Sequence, residues 1–68
     1  MFIDLSTFVK VKEFIAIVTN KKCDCYIKSD KYIVNAKSVI GIFSLDLSKK
    51  VFLEVEDNDY SDFEYFKA

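Results

Sequence analysis

The feature that most constrains the fold is a change of hydrophobic period close to residue 23. Upstream of it, apolar side chains recur with the i, i+3, i+4, i+7 spacing of one helix face, at Val11, Phe14, Ile15 and Val18. Downstream the period is two, with Cys23, Cys25 and Ile27 on one side of the chain. An amphipathic helix followed directly by a half-buried strand predicts an α+β domain in which both apolar faces share one core.

The predicted first helix has sequence signals at both ends. Ser6 and Thr7 are residue types that cap helix amino termini, so the helix is expected from about Thr7 to about Thr19. Asn20 is expected to stop it in a left-handed conformation, and Lys21 is favourably placed beside the carbonyl end.

The strand that starts near Cys23 is predicted to return as a hairpin. Ser29-Asp30-Lys31 is expected to form the turn, after which Tyr32, Val34 and Ala36 line the matching inward face. Ser38 then opens a short helix, and Val51, Leu53 and Val55 alternate as a further strand. The expected inward-facing core residues of the whole chain are Phe14, Ile15, Val18, Cys25, Ile27, Val34, Ala36, Leu45, Leu53 and Val55.

The two ends of the chain complete the predicted order. Residues 2–5 form a short apolar run that suits a strand, and a last helix beginning at Asp59 or Ser61 is anchored by Phe63 and Phe66. The element order is therefore β-α-β-β-α-β-α. With 68 residues and no linker, the chain is expected to be a single domain spanning residues 1–68, an open-faced β-sandwich with three helices on one face of an antiparallel sheet.

The amino-acid composition disfavours several classes of function. Histidine and arginine are both absent, and ten lysines face eleven acidic residues, for a net charge of −1. Without imidazole we expect no histidine-based catalysis and no metal site, because Cys23 and Cys25 alone are a poor zinc ligand set and are better read as reduced core thiols. The near-neutral charge disfavours nucleic acid as a partner, and we expect no cofactor. Short apolar runs and the lack of a signal peptide predict a cytoplasmic protein without a membrane association.

The segment 32–47 carries a family resemblance. Its Val34-Asn35-Ala36-Lys37-Ser38 run, with Gly41, Ser44 and Leu45 in register, resembles the histidine-containing phosphocarrier protein (HPr) family of the bacterial sugar phosphotransferase system. Members of that family have a strand ending in Val-Asn-Ala-Lys-Ser and a helix of the form Ile-Met-Gly-x-Met-Ser-Leu. The resemblance extends more weakly over residues 8–57 and implies an HPr-like sheet with strand order 1-4-2-3.

The site of phosphoryl transfer is where the chain departs from that family. The family carries its phosphate on a histidine in a Gly-x-His-Ala-Arg-Pro segment before the first helix, whereas this chain has neither histidine, arginine nor proline. Thr7 is the position nearest to that histidine and Val9 the one nearest to the arginine. A threonine phosphate ester lacks the transfer potential of a phosphoramidate, so we expect no catalytic residue.

Two further positions follow from the resemblance. Ser38 corresponds to the serine that a dedicated kinase phosphorylates in many members from Gram-positive bacteria, and a helix cap alone also explains a serine there. Val39, Ile40 and Phe43 correspond to the apolar patch by which partners dock. This short helix has too many apolar residues for one buried stripe, so some of them are expected to face solvent. Val39, Ile40 and Phe43 are expected either to bind a partner or a second copy, or to cover the edge of the sheet.

The sequence leaves more than one function open. The favoured interpretation is a noncatalytic regulatory or partner-binding relative of HPr, whose partners would be phosphotransferase-system components or a serine kinase, or a second copy in a homodimer. One alternative is a phosphoryl carrier with altered chemistry that uses Thr7, Ser6 or Ser38. Another is a protein of the same fold that has no remaining link to sugar transport.

Overall fold

The chain runs through strand, helix, two strands, helix, strand and a final 3₁₀ helix, in a computed structural model that describes residues 1–29 and 32–68. This is the predicted element order; of the predicted turn, positions 30 and 31 lie outside the described residues. The elements are β1 (Phe2–Ile3), α1 (Phe8–Asn20), β2 (Cys25–Ser29), β3 (Tyr32–Asn35), α2 (Val39–Phe43), β4 (Val51–Val55) and the C-terminal 3₁₀ helix (Ser61–Phe66).

The strands form one antiparallel sheet in the order β1-β4-β2-β3. The predicted α+β class and the 1-4-2-3 strand order are therefore confirmed. The central pair sets the register, because Cys25 lies opposite Val55 and Ile27 lies opposite Leu53. All four side chains are buried, so alternation along both strands turns one face of the sheet inward.

That inward face and the helices share one apolar cluster. Among the described residues, fourteen side chains form it: Ile3, Leu5, Val11, Phe14, Val18, Cys25, Ile27, Ala36, Ile42, Val51, Leu53, Val55, Phe63 and Phe66. The prediction of full burial was wrong for Ile15, Val34 and Leu45, which are only partly buried and pack at the margin of the cluster. Ile15 borders a surface groove beside α2, Val34 lies on an edge strand, and Leu45 follows the end of α2.

The first helix begins as predicted and ends differently. Thr7 is the N-cap, and its Oγ1 accepts a hydrogen bond of 3.2 Å from the Lys10 amide. Asn20 does not adopt a left-handed conformation but is the last helical residue, and its side-chain amide donates to the Ala16 carbonyl at 3.1 Å. The chain leaves the helix through Lys21 in an extended conformation, which needs no positive φ.

Two details of the predicted hairpin are also corrected. Cys23 precedes β2 and is half-buried, whereas Cys25 inside the strand is fully buried. Tyr32 was expected on the inward face and is instead 69% exposed. It starts an edge strand, where a side chain has a neighbouring strand on one side only and therefore less cover.

The C-terminal residues cover the outer edge of β1. The Asp4 amide donates to the Phe66 carbonyl at 2.7 Å, and the Ala68 amide donates to the Phe2 carbonyl at 3.0 Å. An antiparallel bridge joins Ile3 and Lys67 between these two bonds. The short last helix thus buries Phe66 and also leads the chain along this edge of the sheet.

Two phenylalanines of α1 allow a matched test of this core. Replacing the buried Phe14 by alanine should lower the free energy of unfolding by about 3–5 kcal/mol, because it leaves a cavity between α1 and the 3₁₀ helix. The same substitution at Phe8, which is 64% exposed on the same helix, should change it by about 0.5 kcal/mol or less. Urea denaturation followed by circular dichroism measures both, and equal losses would contradict the assigned burial.

Candidate functional site

A surface groove separates the outer sides of α1 and α2. It has a volume of about 420 Å³ and is lined by Phe8, Lys12, Ile15, Ala16, Val39 and Phe43. With the neighbouring Ile40, these apolar side chains form what we call the α1–α2 surface: Phe8, Ile15, Ala16, Val39, Ile40 and Phe43. A groove of this kind is suited to receive apolar side chains of another molecule.

The short helix α2 supplies half of this surface because it is apolar on more than one side. Ile42 points inward and is fully buried. Val39, Ile40 and Phe43 are 46%, 85% and 49% exposed, so all three of these residues face solvent at least in part. Val39 and Phe43 are neighbours at positions i and i+4, and Ile40 lies beside them on the adjoining, most exposed side of the helix.

Phe8 is the part of the surface that the sequence analysis missed. Its ring stacks on that of Phe43 with centroids 6.3 Å apart and an interplanar angle of 26°, and the Lys12 ammonium lies 5.7 Å from the Phe8 centroid. Phe8, Lys12, Ile15 and Ala16 follow the spacing i, i+4, i+7, i+8, which is a second helical stripe beside the buried one. That spacing was the signal available, although the lysine within it breaks the apolar pattern.

Ser38 is the N-cap of α2, as predicted. Its Oγ accepts a hydrogen bond of 3.1 Å from the Gly41 amide, and the residue is exposed. A Cβ atom at Gly41 would lie 3.1 Å from this oxygen and 3.4 Å from Val34 Cβ, so glycine lets α2 approach both its cap and β3 closely. The Lys37 ammonium donates to the Lys21 carbonyl at 3.0 Å and is thereby held at the end of α1.

Thr7, nearest in sequence to the family's phosphorylated histidine, is engaged as the cap of α1. Lys10, on the next helical turn, is the closest described cation in sequence, and its ammonium forms an ion pair of 3.2 Å with Asp4. The Ser6 amide donates to Asp4 at 2.9 Å, and the side chain and amide of Ser6, with Lys10, lower the pKa of that carboxyl from 3.8 to about 2. The surroundings of Thr7 therefore contain the ionised Asp4 carboxylate, and the nearby Lys10 is already paired with it.

The cysteines and tyrosines are not brought together into a site. Cys25 is buried, which raises the pKa of its thiol to about 11, and both cysteines are free thiols. Within residues 1–29 and 32–68, no group of three or more histidine, cysteine, aspartate or glutamate side chains could hold a metal ion. Tyr32 and Tyr65 are exposed, whereas Tyr26 and Tyr60 are half-buried, and the Tyr60 hydroxyl accepts from the Val55 amide at 3.3 Å.

The helices of this chain are short. In the part of the chain that the structure describes, none is both long enough and apolar enough to cross a bilayer. The longest, α1, has 13 residues, whereas a spanning helix needs about 20.

The hydrogen bonds around Asp4 predict a specific pH dependence. The carboxyl should titrate with a midpoint of about 2, so its stabilising contribution is complete above about pH 4 and is lost as the pH falls through about 2. Carboxyl-detected NMR titration measures this pKa directly. The Ser6 side chain contributes more than Lys10 to the lowered pKa of Asp4. Ser6→Ala should therefore raise the pKa of Asp4 more than Lys10→Gln does, and the reverse order would contradict the assignment.

Comparison with known proteins supplies no relative of this chain. No protein-family model, no curated protein and no solved structure matches it. The HPr resemblance of residues 32–47 therefore stays a prediction. The observed strand order β1-β4-β2-β3 is the order that this resemblance implies.

Proposed function

We propose that this protein is a noncatalytic HPr-like binding module that docks a phosphotransferase-system protein or its serine kinase through the α1–α2 surface. The support comes from three independent features. The Val34–Ser38 run and the α2 motif resemble the family, the sheet has the strand order that this resemblance implies, and apolar side chains persist on α2 where family members bind partners.

The observation that carries the proposal is the exposed ring pair of Phe8 and Phe43. The two side chains are 64% and 49% exposed, although they stack on each other. They come from different elements and converge beside the same groove. Large aromatic side chains that cluster on a surface without entering the core are typical of the centre of a protein interface.

The energy available from this surface is sufficient for a specific but weak complex. Complete burial of a large apolar side chain contributes about 1.5–3 kcal/mol, and the exposed portions of Phe8, Ile40 and Phe43 would contribute part of that each. Association costs about 4–15 kcal/mol in lost freedom, so polar contacts at the rim must add to the apolar term. Lys12, which lies at this rim, suits a partner with a carboxylate near its apolar side chains.

The surroundings of Thr7 support a noncatalytic role over a phosphoryl carrier with altered chemistry. A transferring phosphoryl group needs cationic or amide donors directed at its oxygens. Here the Lys10 ammonium is paired with Asp4, and the ionised Asp4 carboxylate would repel an incoming phosphate. The Thr7 hydroxyl itself is held by the Lys10 amide as a helix cap.

Ser38 is proposed as the regulatory position. Its hydroxyl belongs to an exposed residue that directly precedes Val39 of the α1–α2 surface. Phosphorylation would add nearly two negative charges beside this apolar patch, which disfavours a partner that brings carboxylates of its own. Modification of Ser38 would thereby reduce docking.

A double substitution tests the docking surface. Ile40→Ser with Phe43→Glu should leave thermal unfolding nearly unchanged and weaken binding of the general phosphotransferase enzyme at least tenfold, because it removes two exposed apolar contacts. Isothermal titration calorimetry measures the affinity. Tyr65→Ser is the matched control, since Tyr65 is 62% exposed on the 3₁₀ helix, away from the α1–α2 surface, and should bind like the unmodified protein. Unfolding of the double variant, or an unchanged affinity, would refute the docking role.

The phosphorylation chemistry gives a separate prediction. Incubation with phosphoenolpyruvate and the general phosphotransferase enzyme should leave the intact mass unchanged, because no histidine is present. ATP and an HPr-type serine kinase should add one phosphate, which Ser38→Ala abolishes and Ser44→Ala, at the other end of α2, does not. An acid-labile phosphate in the first reaction, or a phosphate retained in Ser38→Ala, would show that the assignment is wrong.

A further inference from the structure

The two edges of the sheet differ in whether other backbone segments cover them. The outer edge of β1 is covered by the residues that follow the 3₁₀ helix, through the Asp4–Phe66 and Phe2–Ala68 backbone hydrogen bonds. The other edge is β3, and among residues 1–29 and 32–68 no strand pairs with its outer side. An open edge presents unpaired backbone groups that favour pairing with another strand.

The hydrogen-bond register identifies which groups those are. The Ala36 amide donates to the Cys25 carbonyl at 2.8 Å, so in this antiparallel pair every second residue of β3 directs its backbone groups toward β2. Tyr32 and Val34 share that orientation, and Ile33 and Asn35 direct their backbone groups outward. The Asn35 carbonyl accepts from the Ser38 amide at 2.9 Å, whereas the N–H and C=O of Ile33 have no partner among the described residues.

The side chains of β3 lack the devices that usually protect an edge. Tyr32, Ile33, Val34 and Asn35 carry no charge and include no proline. Tyr32 and Ile33 are 69% and 64% exposed. Natural edge strands are commonly protected from pairing by lysine, proline or a bulge, and β3 has no lysine, no proline and no break in its register with β2.

We propose that β3 pairs antiparallel with β3 of a second copy of this chain, about a two-fold axis at Ile33. The Ile33 N–H donates to the Ile33 carbonyl of the second copy, and the reciprocal bond closes the pair. Tyr32 then faces Val34 of the second copy, and the two Ile33 side chains meet on the open face of the joined sheet. This inference goes beyond the docking function and uses a different surface.

Three observations favour a second copy as the occupant. The N–H and C=O without a partner both belong to Ile33. The β3 edges of two copies can therefore form both hydrogen bonds when Ile33 faces Ile33. The described cation beside Ile33 does not oppose the pairing, because Lys28, opposite Ile33 on β2, is ion-paired with Glu54 at 2.9 Å. Among residues 1–29 and 32–68 the covered edge of β1 leaves β3 as the one open edge, so pairing stops at a closed dimer and does not continue into a fibre.

Charge substitutions at the proposed axis test the register directly. Ile33→Lys and Ile33→Glu each place like charges opposite one another across the two-fold axis, and each should weaken self-association by about tenfold or more. An equimolar mixture of the two variants should restore it, because lysine then faces glutamate. Sedimentation equilibrium over a concentration series measures all four samples, and the unmodified protein should show a monomer–dimer equilibrium.

Two controls separate this proposal from docking and from misfolding. Ile40→Lys and Ile40→Glu alter the α1–α2 surface and should dimerise like the unmodified protein. In the unmodified protein, hydrogen exchange of the Ile33 amide should slow as the concentration rises, a readout that requires no variant. A strictly monomeric protein at millimolar concentration, which would leave the edge to a strand of another protein, overturns the proposal. So does a mixture of the Ile33 variants that fails to associate, or loss of dimerisation in the Ile40 variants.

Discussion

The packing of Phe14 against Phe63 and Phe66 is the interaction on which most of the structure depends. The Phe14 ring centroid lies 5.6 Å from that of Phe63 and 5.7 Å from that of Phe66, and all three side chains are buried. This contact joins the middle of α1 to the 3₁₀ helix across the chain. Because Phe66 also accepts the Asp4 amide, the same contact holds the C-terminal residues along the edge of β1.

This core occupies one stripe of α1 and thereby leaves another stripe free. Val11, Phe14 and Val18 enter the core, and Phe8 with Ile15 lies on the side that faces α2. The short α2 divides in the same way, with Ile42 buried and Ile40 exposed. A single sheet face cannot cover every apolar side chain of a chain that is 51% hydrophobic. Most of the exposed large apolar side chains lie on the α1–α2 surface and the edge strand β3, and Phe2, Val9 and Tyr65 are exposed elsewhere.

Local patterns were sufficient to predict most elements, and long-range contacts account for what they missed. The 3.6 and 2 residue periods located α1, β2 and β4, because burial of one face imposes them. Pairing of β1 with β4 joins residues about fifty positions apart, and only the family resemblance pointed to it. Asn20 was misassigned because its side chain bonds back to Ala16 and prolongs the helix by one residue.

The candidate surface was predictable in part for the same reason. The short helix that contains Val39, Ile40 and Phe43 has more apolar residues than one buried stripe can hold. Solvent exposure of some of them could therefore be predicted from the sequence. The contribution of Phe8 depends on how α1 lies against α2, which no local pattern encodes. The open outer side of β3 likewise depends on which edge the C-terminal residues cover, a tertiary property of the whole sheet.

The central claim is that the α1–α2 surface binds a protein of the phosphotransferase system and that the chain does not act as a phosphoryl carrier. NMR spectra of the isotopically labelled protein during titration with the unlabelled general phosphotransferase enzyme test it most directly. The account predicts that the largest perturbations fall on the side chains of Phe8, Val39, Ile40 and Phe43, with the Ile33 and Leu53 methyl groups unchanged. Perturbations centred on the sheet, or none at saturating enzyme, would contradict it.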